Sequence, residues 1–204
     1  MASSDPDALS EIAETVFPIT EPKACLEDLQ QKILSDFPEG PKTHYEIKFV
    51  SEDLKEHLSP AFYLTPPIDA AADNVIYINQ GKSYQTEQTL YTTLAHEGYP
   101  GHLYQTTYFL ATDPALVRNL LNYPGYVEGW ATYVECLAYD YSGVDTFTAE
   151  VFRLNTSYSL GLYCLVDIGV NEEGWTLEDT VAFLKGYGIT DESAVKEIFD
   201  SMVA

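Results

Sequence analysis

The chain has 204 residues, 46% of them hydrophobic and 13% aromatic, which argues against disorder and is enough for one domain with a real core. Its 32 acidic against 10 basic residues give a formal charge of −22. Nucleic acid and an anionic membrane surface are therefore poor partners, since both need clustered Lys and Arg, whereas the acidity keeps the chain soluble or steers a divalent cation or cationic substrate towards it. In chain order, residues 6–15 and 23–36 read as amphipathic helices. The second has Leu26, Leu29, Ile33 and Leu34 at helical spacing, and a turn at Pro38-Glu39-Gly40 follows. Tyr45-Glu46-Ile47-Lys48-Phe49-Val50 alternates with a period near two and reads as a strand. Val75-Ile76-Tyr77-Ile78 reads as a second, with Leu64-Thr65-Pro66-Pro67 an irregular connection between them. From Tyr84 onward helices dominate, over residues 84–99, 102–110, 114–121, 127–142, 147–170, 177–186 and 191–203. Asp113-Pro114, and Thr176 before Glu178-Asp179, read as helix starts.

There is no repeat, no low-complexity tract and no linker long enough to separate two domains. The expected fold is mainly α: a helical bundle with a small two-stranded β-element near the N-terminal side of the candidate active-site helix. The expectation is a single domain over residues 1–204. No apolar run approaches the ~20 residues of a membrane span, and Met1-Ala2-Ser3-Ser4-Asp5 does not read as a secretion signal. A soluble protein is expected; neither its compartment, the cytoplasm included, nor its oligomeric state is fixed by these features. Cys25, Cys136 and Cys164 are far apart and form no Cys-x-x-Cys pair, which disfavours a thiolate metal site. Cys136 and Cys164 lie in apolar helical contexts and read as buried small hydrophobes.

The chemistry is concentrated in His96-Glu97-Gly98-Tyr99-Pro100-Gly101-His102, which holds two of the four histidines. Imidazoles bind zinc, and a glutamate beside one of them can take a proton from metal-bound water. The usual signature, however, places its histidines at i and i+4, one helical turn apart. Here they stand at i and i+6. At about 100° per residue, a straight helix would aim His102 roughly 120° away from His96. Pro100 lacks the N–H that would bond to the His96 carbonyl, and Gly101 reaches backbone angles other residues avoid. The segment is then either a metal site with a two-residue bulge or a helix end that carries histidines. The metal reading requires the helix to break between His96 and His102.

A zinc site of two histidines is incomplete. Tyr126-Val127-Glu128-Gly129-Trp130-Ala131-Thr132-Tyr133-Val134-Glu135 offers two carboxylates two helical turns apart, on one face of one helix. Glu128 follows His102 by 26 residues, a common distance for a third ligand from the next long helix. Alternatively it is a first-turn glutamate favoured by the helix dipole, with Asn122-Tyr123-Pro124-Gly125 as the preceding turn.

The run from Thr93 to Gln105, with the later Glu128-Gly129-Trp130, resembles the bacterial DUF885 family, whose hallmarks are His-Glu-x-x-Pro-Gly-His-x-x-Gln and a later Glu-Gly-Trp. Ala61-Phe62-Tyr63, Pro66-Pro67, the segment from Asn74 to Asn79, Arg153, Asp167-Ile168-Gly169 and Gly174-Trp175 agree with it, so the resemblance covers roughly residues 25–200. Members are usually longer, with a largely helical N-terminal half, so the chain looks like the C-terminal catalytic portion of such a protein. The family is similar to gluzincin-type zinc metallopeptidases. The resemblance implies one zinc ion, a peptide substrate, His96, His102 and Glu128 as metal ligands, and Glu97 as general base. Many relatives carry a histidine after Asp167, where this chain reads Val170-Asn171-Glu172, and no role for it transfers.

Other candidates surround these motifs. Glu135 either orients a ligand histidine or is an alternative ligand, and Gln105 could hydrogen-bond a ligand as an outer partner. Tyr99, Tyr104 and Tyr126 could stabilise an oxyanion, although with 16 tyrosines in the chain packing is the commoner role. Arg153 could hold a substrate carboxylate, or neutralise Asp167 or Glu135. His44, in a strand, and His57, in a short helix, read as ordinary residues. A non-catalytic binding or scaffold domain is the alternative to a peptidase, and so is a metal-binding portion inactive without an N-terminal half.

Overall fold

The computed structural model describes residue 12 and residues 15–67, 73–81, 89–121 and 123–203. The expected helix over 6–15 therefore lies outside the described residues, apart from Ile12 and Thr15. Residues 84–88 of the expected helix 84–99 also lie outside them. The contacts divide the chain into two compact units, residues 1–150 and 151–204.

The first unit opens with α1 (Pro22–Lys32), set off by Pro22 in its first turn. Glu21 caps it, its carboxylate accepting from the Lys23 and Ala24 amides at 3.1 and 2.7 Å. Cys25, Leu26, Leu29 and Ile33 form its buried stripe, and the last turn tightens to a 3₁₀ turn over Ile33–Ser35. A sheet of order β1-β3-β2 follows, from β1 (Tyr45–Phe49), β2 (Ala61–Leu64) and β3 (Asn74–Ile78). The expectation named two strands. The third, β2, is only four residues long and has no apolar–polar alternation to mark it. Central β3 pairs parallel with β1, Ile47 opposite Ile76, and antiparallel with β2, Tyr63 opposite Ile76. Asn74, Ile76 and Ile78 point inward and are buried, while Phe62 and Tyr77 stack across the other face at 5.1 Å. Buried Asn79 anchors the chain beyond β3, donating to the Lys55 and Leu58 carbonyls at 2.8 Å and accepting from the Gly81 amide. His44 precedes β1, and His57 lies in a turn rather than a helix.

The sheet and α1 pack around α2 (Leu90–Glu97), whose Leu90, Tyr91, Thr92, Leu94 and Ala95 are buried. The Tyr91 hydroxyl donates to Asp28 of α1 at 2.6 Å. Next come α3 (His102–Ala111), α4 (Leu116–Leu120) and α5 (Pro124–Tyr141). The expected start at Asp113-Pro114 is displaced: Asp113 takes a positive φ of 50°, and α4 begins after Ala115. The other boundary that moves is the start of α5. Pro124 and Gly125 lie in its first turn, not in a preceding loop, so Glu128 stands beyond the first turn with its unpaired amides. A dipole-favoured capping role for Glu128 loses its basis. Ala131, Val134, Ala138 and Tyr139 of α5 are buried, and α5 packs on α2.

The second unit takes in most of α6 (Thr146–Asn171), with α7 (Leu177–Lys185) and α8 (Glu192–Val203). Leu162, Val166, Leu184 and Val195 form its core. Thr176 starts α7 with a capping box, its side chain and that of Asp179 each bonding the other's backbone amide. A side chain at Gly169 would meet the Trp175 indole at 2.3 Å, so the tryptophan lies directly on the helix backbone there. Contrary to the expectation of burial, Cys164 is exposed and Cys136 only half-buried, while Cys25 is fully buried. Among the described residues no helix is long and apolar enough to cross a membrane.

Candidate metal centre

The helix breaks between the two motif histidines. α2 ends at Glu97, Gly98 leaves helical geometry with φ −110° and ψ −96°, and α3 begins at His102 after Gly101. Through this turn the hydrogen bonds reach back six residues instead of four. The Gly101 amide donates to the Ala95 carbonyl at 2.9 Å and the Tyr104 amide to the Gly98 carbonyl at 3.1 Å. The two extra residues are thereby looped out, and His102 returns to the side His96 occupies. Glycine is required here: a Cβ at Gly101 would sit 1.7 Å from the His96 carbonyl oxygen, and one at Gly98 2.4 Å from Leu26. The loop is also tied from outside, since the Trp130 indole N–H donates to the Pro100 carbonyl at 2.8 Å. Trp130 is held in turn by the rings of Phe37 and Tyr133. Glu-Gly-Trp thus presents a carboxylate to the histidines and, two residues on, clamps the turn that positions them.

The two imidazoles meet edge to face, centroids 4.8 Å apart. Nε2 of His96 and Nε2 of His102 each lie 3.5 Å from Oε2 of Glu128, and one ligand atom from each of the three residues falls within 4.8 Å of the others. Bonds of about 2.0–2.2 Å to a tetrahedral zinc place neighbouring donors roughly 3.4 Å apart. The two nitrogen–oxygen separations of 3.5 Å fit that ion, and a donor set of two nitrogens and one carboxylate oxygen suits zinc rather than calcium or magnesium. The histidine rings are largely shielded while Glu128 is well exposed, so the cluster is open on one side.

On the far side of His96, Glu135 Oε2 lies 2.9 Å from its Nδ1. This contact orients the ring and leaves Nε2 for Glu128 and His102. Burial pulls the His96 pKa down, but the bond to Glu135 and the charges of Glu135, Glu97 and Glu128 outweigh it and the pKa rises. At His102 burial, first, and the neighbouring His96 hold the pKa below normal, against the charge of Glu128 and the hydrogen bond to it. Glu97 points to the sheet, where its Oε2 accepts the Tyr63 amide of β2 at 2.8 Å. Burial pushes its carboxyl up to about 7, helped by the charges of Glu128 and Glu135 and opposed by the Tyr63 amide and His96.

The sequence profile of a family described as bacterial protein of unknown function, DUF885, matches residues 17–203. The chain belongs to the DUF885 family. No curated protein matches it. Two solved structures are similar to this DUF885 chain. One, described as a "putative lipoprotein" from Colwellia psychrerythraea, superposes with a TM-score of 0.73 at 24% identity over 96% of the chain. The other, described in the same words and as of unknown function, is from Shewanella oneidensis and superposes with a TM-score of 0.65 at 18% identity over 90%. At these identities the likeness is one of fold. The DUF885 chain spans 32% and 35% of those two proteins.

The other sequence candidates of this DUF885 chain scatter. Tyr99 is buried, its ring edge-on to Tyr45 at 5.9 Å, and Tyr104 is buried with its hydroxyl donating to the Pro38 carbonyl at 2.6 Å. Both are engaged in packing. Tyr126 is exposed. Gln105 makes no bond to a histidine; its side-chain nitrogen is shielded from solvent without a partner. Arg153 stands in the second unit with an interaction of its own. Two contributors stand in motifs noted in the sequence, but their roles could not be read there. The Tyr63 amide acts through the backbone, which residue type does not reveal, and the Trp130 clamp depends on a carbonyl 30 residues away.

Proposed function

We propose that the chain carries the catalytic centre of a zinc-dependent peptidase. His96, His102 and Glu128 hold the ion through two Nε2 atoms and a carboxylate oxygen. Zinc held there would supply Lewis acidity for peptide-bond hydrolysis. Glu135 fixes the His96 ring and its tautomer through Nδ1. The Tyr63 amide fixes Oε2 of Glu97, leaving Oε1 to accept a proton from the attacking water and deliver it to the leaving amine. The observation that carries this reading is the two-residue bulge, which brings a histidine pair of unusual spacing onto one carboxylate. Elemental analysis should find about one zinc per chain, and Glu97→Gln should abolish peptide hydrolysis while retaining the metal. Failure to take up zinc after reconstitution would sink the proposal.

A second reading has specific support, because the chain spans about a third of its solved structural relatives. On it, the cluster binds zinc, and turnover also needs the rest of a longer protein. Zinc uptake without hydrolysis distinguishes this case. A scaffold domain without catalysis would instead leave every measurable property unchanged in Glu97→Gln.

A further inference from the structure

A cavity of about 1230 Å³ opens in the first unit, walled by the segments that carry the candidate ligands. Tyr104 and Gln105 follow His102 on α3, Val127 precedes Glu128 on α5, and Trp130 follows it. The walls are mostly aromatic and aliphatic. Among the described residues no aspartate or glutamate lines the cavity. Among the described residues the one charged lining group is Arg118, whose guanidinium lies 4.9 Å from the Phe109 ring, itself part of the wall. Among the described residues no carboxylate pairs with Arg118. Elsewhere a net charge of −22 would repel an anionic ligand. A described lining that is largely apolar, holds no acid and carries the Arg118 guanidinium without a carboxylate partner selects an apolar group joined to one negative charge. Gln105, on the same wall, holds a buried amide nitrogen that lacks an acceptor, and a peptide carbonyl is such an acceptor.

Resting on the peptidase reading, we propose that this cavity takes the C-terminal residue of a peptide substrate. A large apolar or aromatic side chain fills the space between the rings, and the free α-carboxylate pairs with Arg118. The enzyme then acts near the free C-terminus of peptides.

Trp130 lines the cavity and reports occupancy by its fluorescence once the other tryptophan is removed as Trp175→Phe. The probe is acetyl-Ala-Ala-Phe with a free carboxylate, titrated against its C-terminal amide, against acetyl-Ala-Ala-Ala, and against an amidated peptide with an internal glutamate. The free acid should bind about tenfold or more tightly than its amide, and more tightly than the alanine peptide. Arg118→Gln should reduce the acid to the level of the amide and leave the amide unchanged, with Arg118→Lys in between. Equal binding of acid and amide, or binding of neither, overturns the proposal; so does equal binding of the glutamate peptide. Acid-selective binding by a chain that takes up no zinc would sink the peptidase reading alone. Zinc uptake and hydrolysis without acid selectivity would sink the cavity assignment alone.

Discussion

Replacing Gly101 by alanine tests how the bulge builds the centre. The added Cβ would lie 1.7 Å from the His96 carbonyl oxygen and 2.4 Å from that of Ala95. An ordinary C···O contact is about 3.3 Å, so the end of α2 and the start of α3 must separate by roughly 1.6 Å. A movement of that size breaks the 2.9 Å bond from the Gly101 amide and strains the 2.8 Å Trp130–Pro100 bond. At about 1 kcal/mol for each bond lost, plus residual crowding, the variant should lose about 2–4 kcal/mol of stability. The histidine rings ride on the separating segments, so zinc affinity should fall at least ~10-fold. The matched control is Gly129→Ala, where an added Cβ meets nothing within 4 Å in the middle of α5. It should be neutral or stabilising by about 0.5–1 kcal/mol, as for an exposed helix glycine. Urea unfolding followed by circular dichroism gives the stabilities, and competition with a chromophoric chelator gives the affinities. A Gly101→Ala chain as stable as the control, with undiminished zinc uptake, would refute the reasoning.

Trp130→Phe removes the indole donor and strands the Pro100 carbonyl while keeping a ring against Phe37; a loss of about 1–2 kcal/mol in urea unfolding is expected, and none would show the clamp to be idle. Glu135→Ala leaves the three proposed ligands in place but frees the His96 ring, so zinc affinity should drop about 10–100-fold in chelator competition; an unchanged affinity would show that Glu135 does not orient the ligand. Burial pushes the Cys25 thiol up to about 12, with the Glu21 and Asp28 charges adding to it. The reactive thiolate is therefore suppressed at neutral and mildly alkaline pH, and native protein at pH 8 should be alkylated by iodoacetamide at exposed Cys164 and not at Cys25, as read by peptide mass spectrometry. Rapid labelling of Cys25 in the native state would contradict that burial.

Local patterns carried much of the fold. The stripe on α1, the alternation in β1, the short β-branched run of β3 and the Thr176 capping box are relations between residues a few positions apart, so they are readable without knowing what the segment packs against. Boundaries were read less well where tertiary contacts override local preference. Asn122-Tyr123-Pro124-Gly125 reads as a turn, yet Pro124 and Gly125 open α5, since proline is pre-set for the first helical turn. β2 is a strand because β3 offers it a partner, and its own four residues carry no period.

The same division runs through the site. By itself the sequence determined the donor types, the pairing of Glu128 with Glu135 on one helical face, and the need for a break at Pro100-Gly101, because each follows from helix geometry or backbone sterics. Only the tertiary structure decided that the break is a two-residue loop that brings His102 back beside His96 and onto Glu128. It alone placed Trp130 on the Pro100 carbonyl and the Tyr63 amide on Glu97. Those contacts join residues up to 34 positions apart, in the case of Tyr63 and Glu97. Their directions are set by how α2, α5 and the sheet pack, and no local period in the chain encodes that.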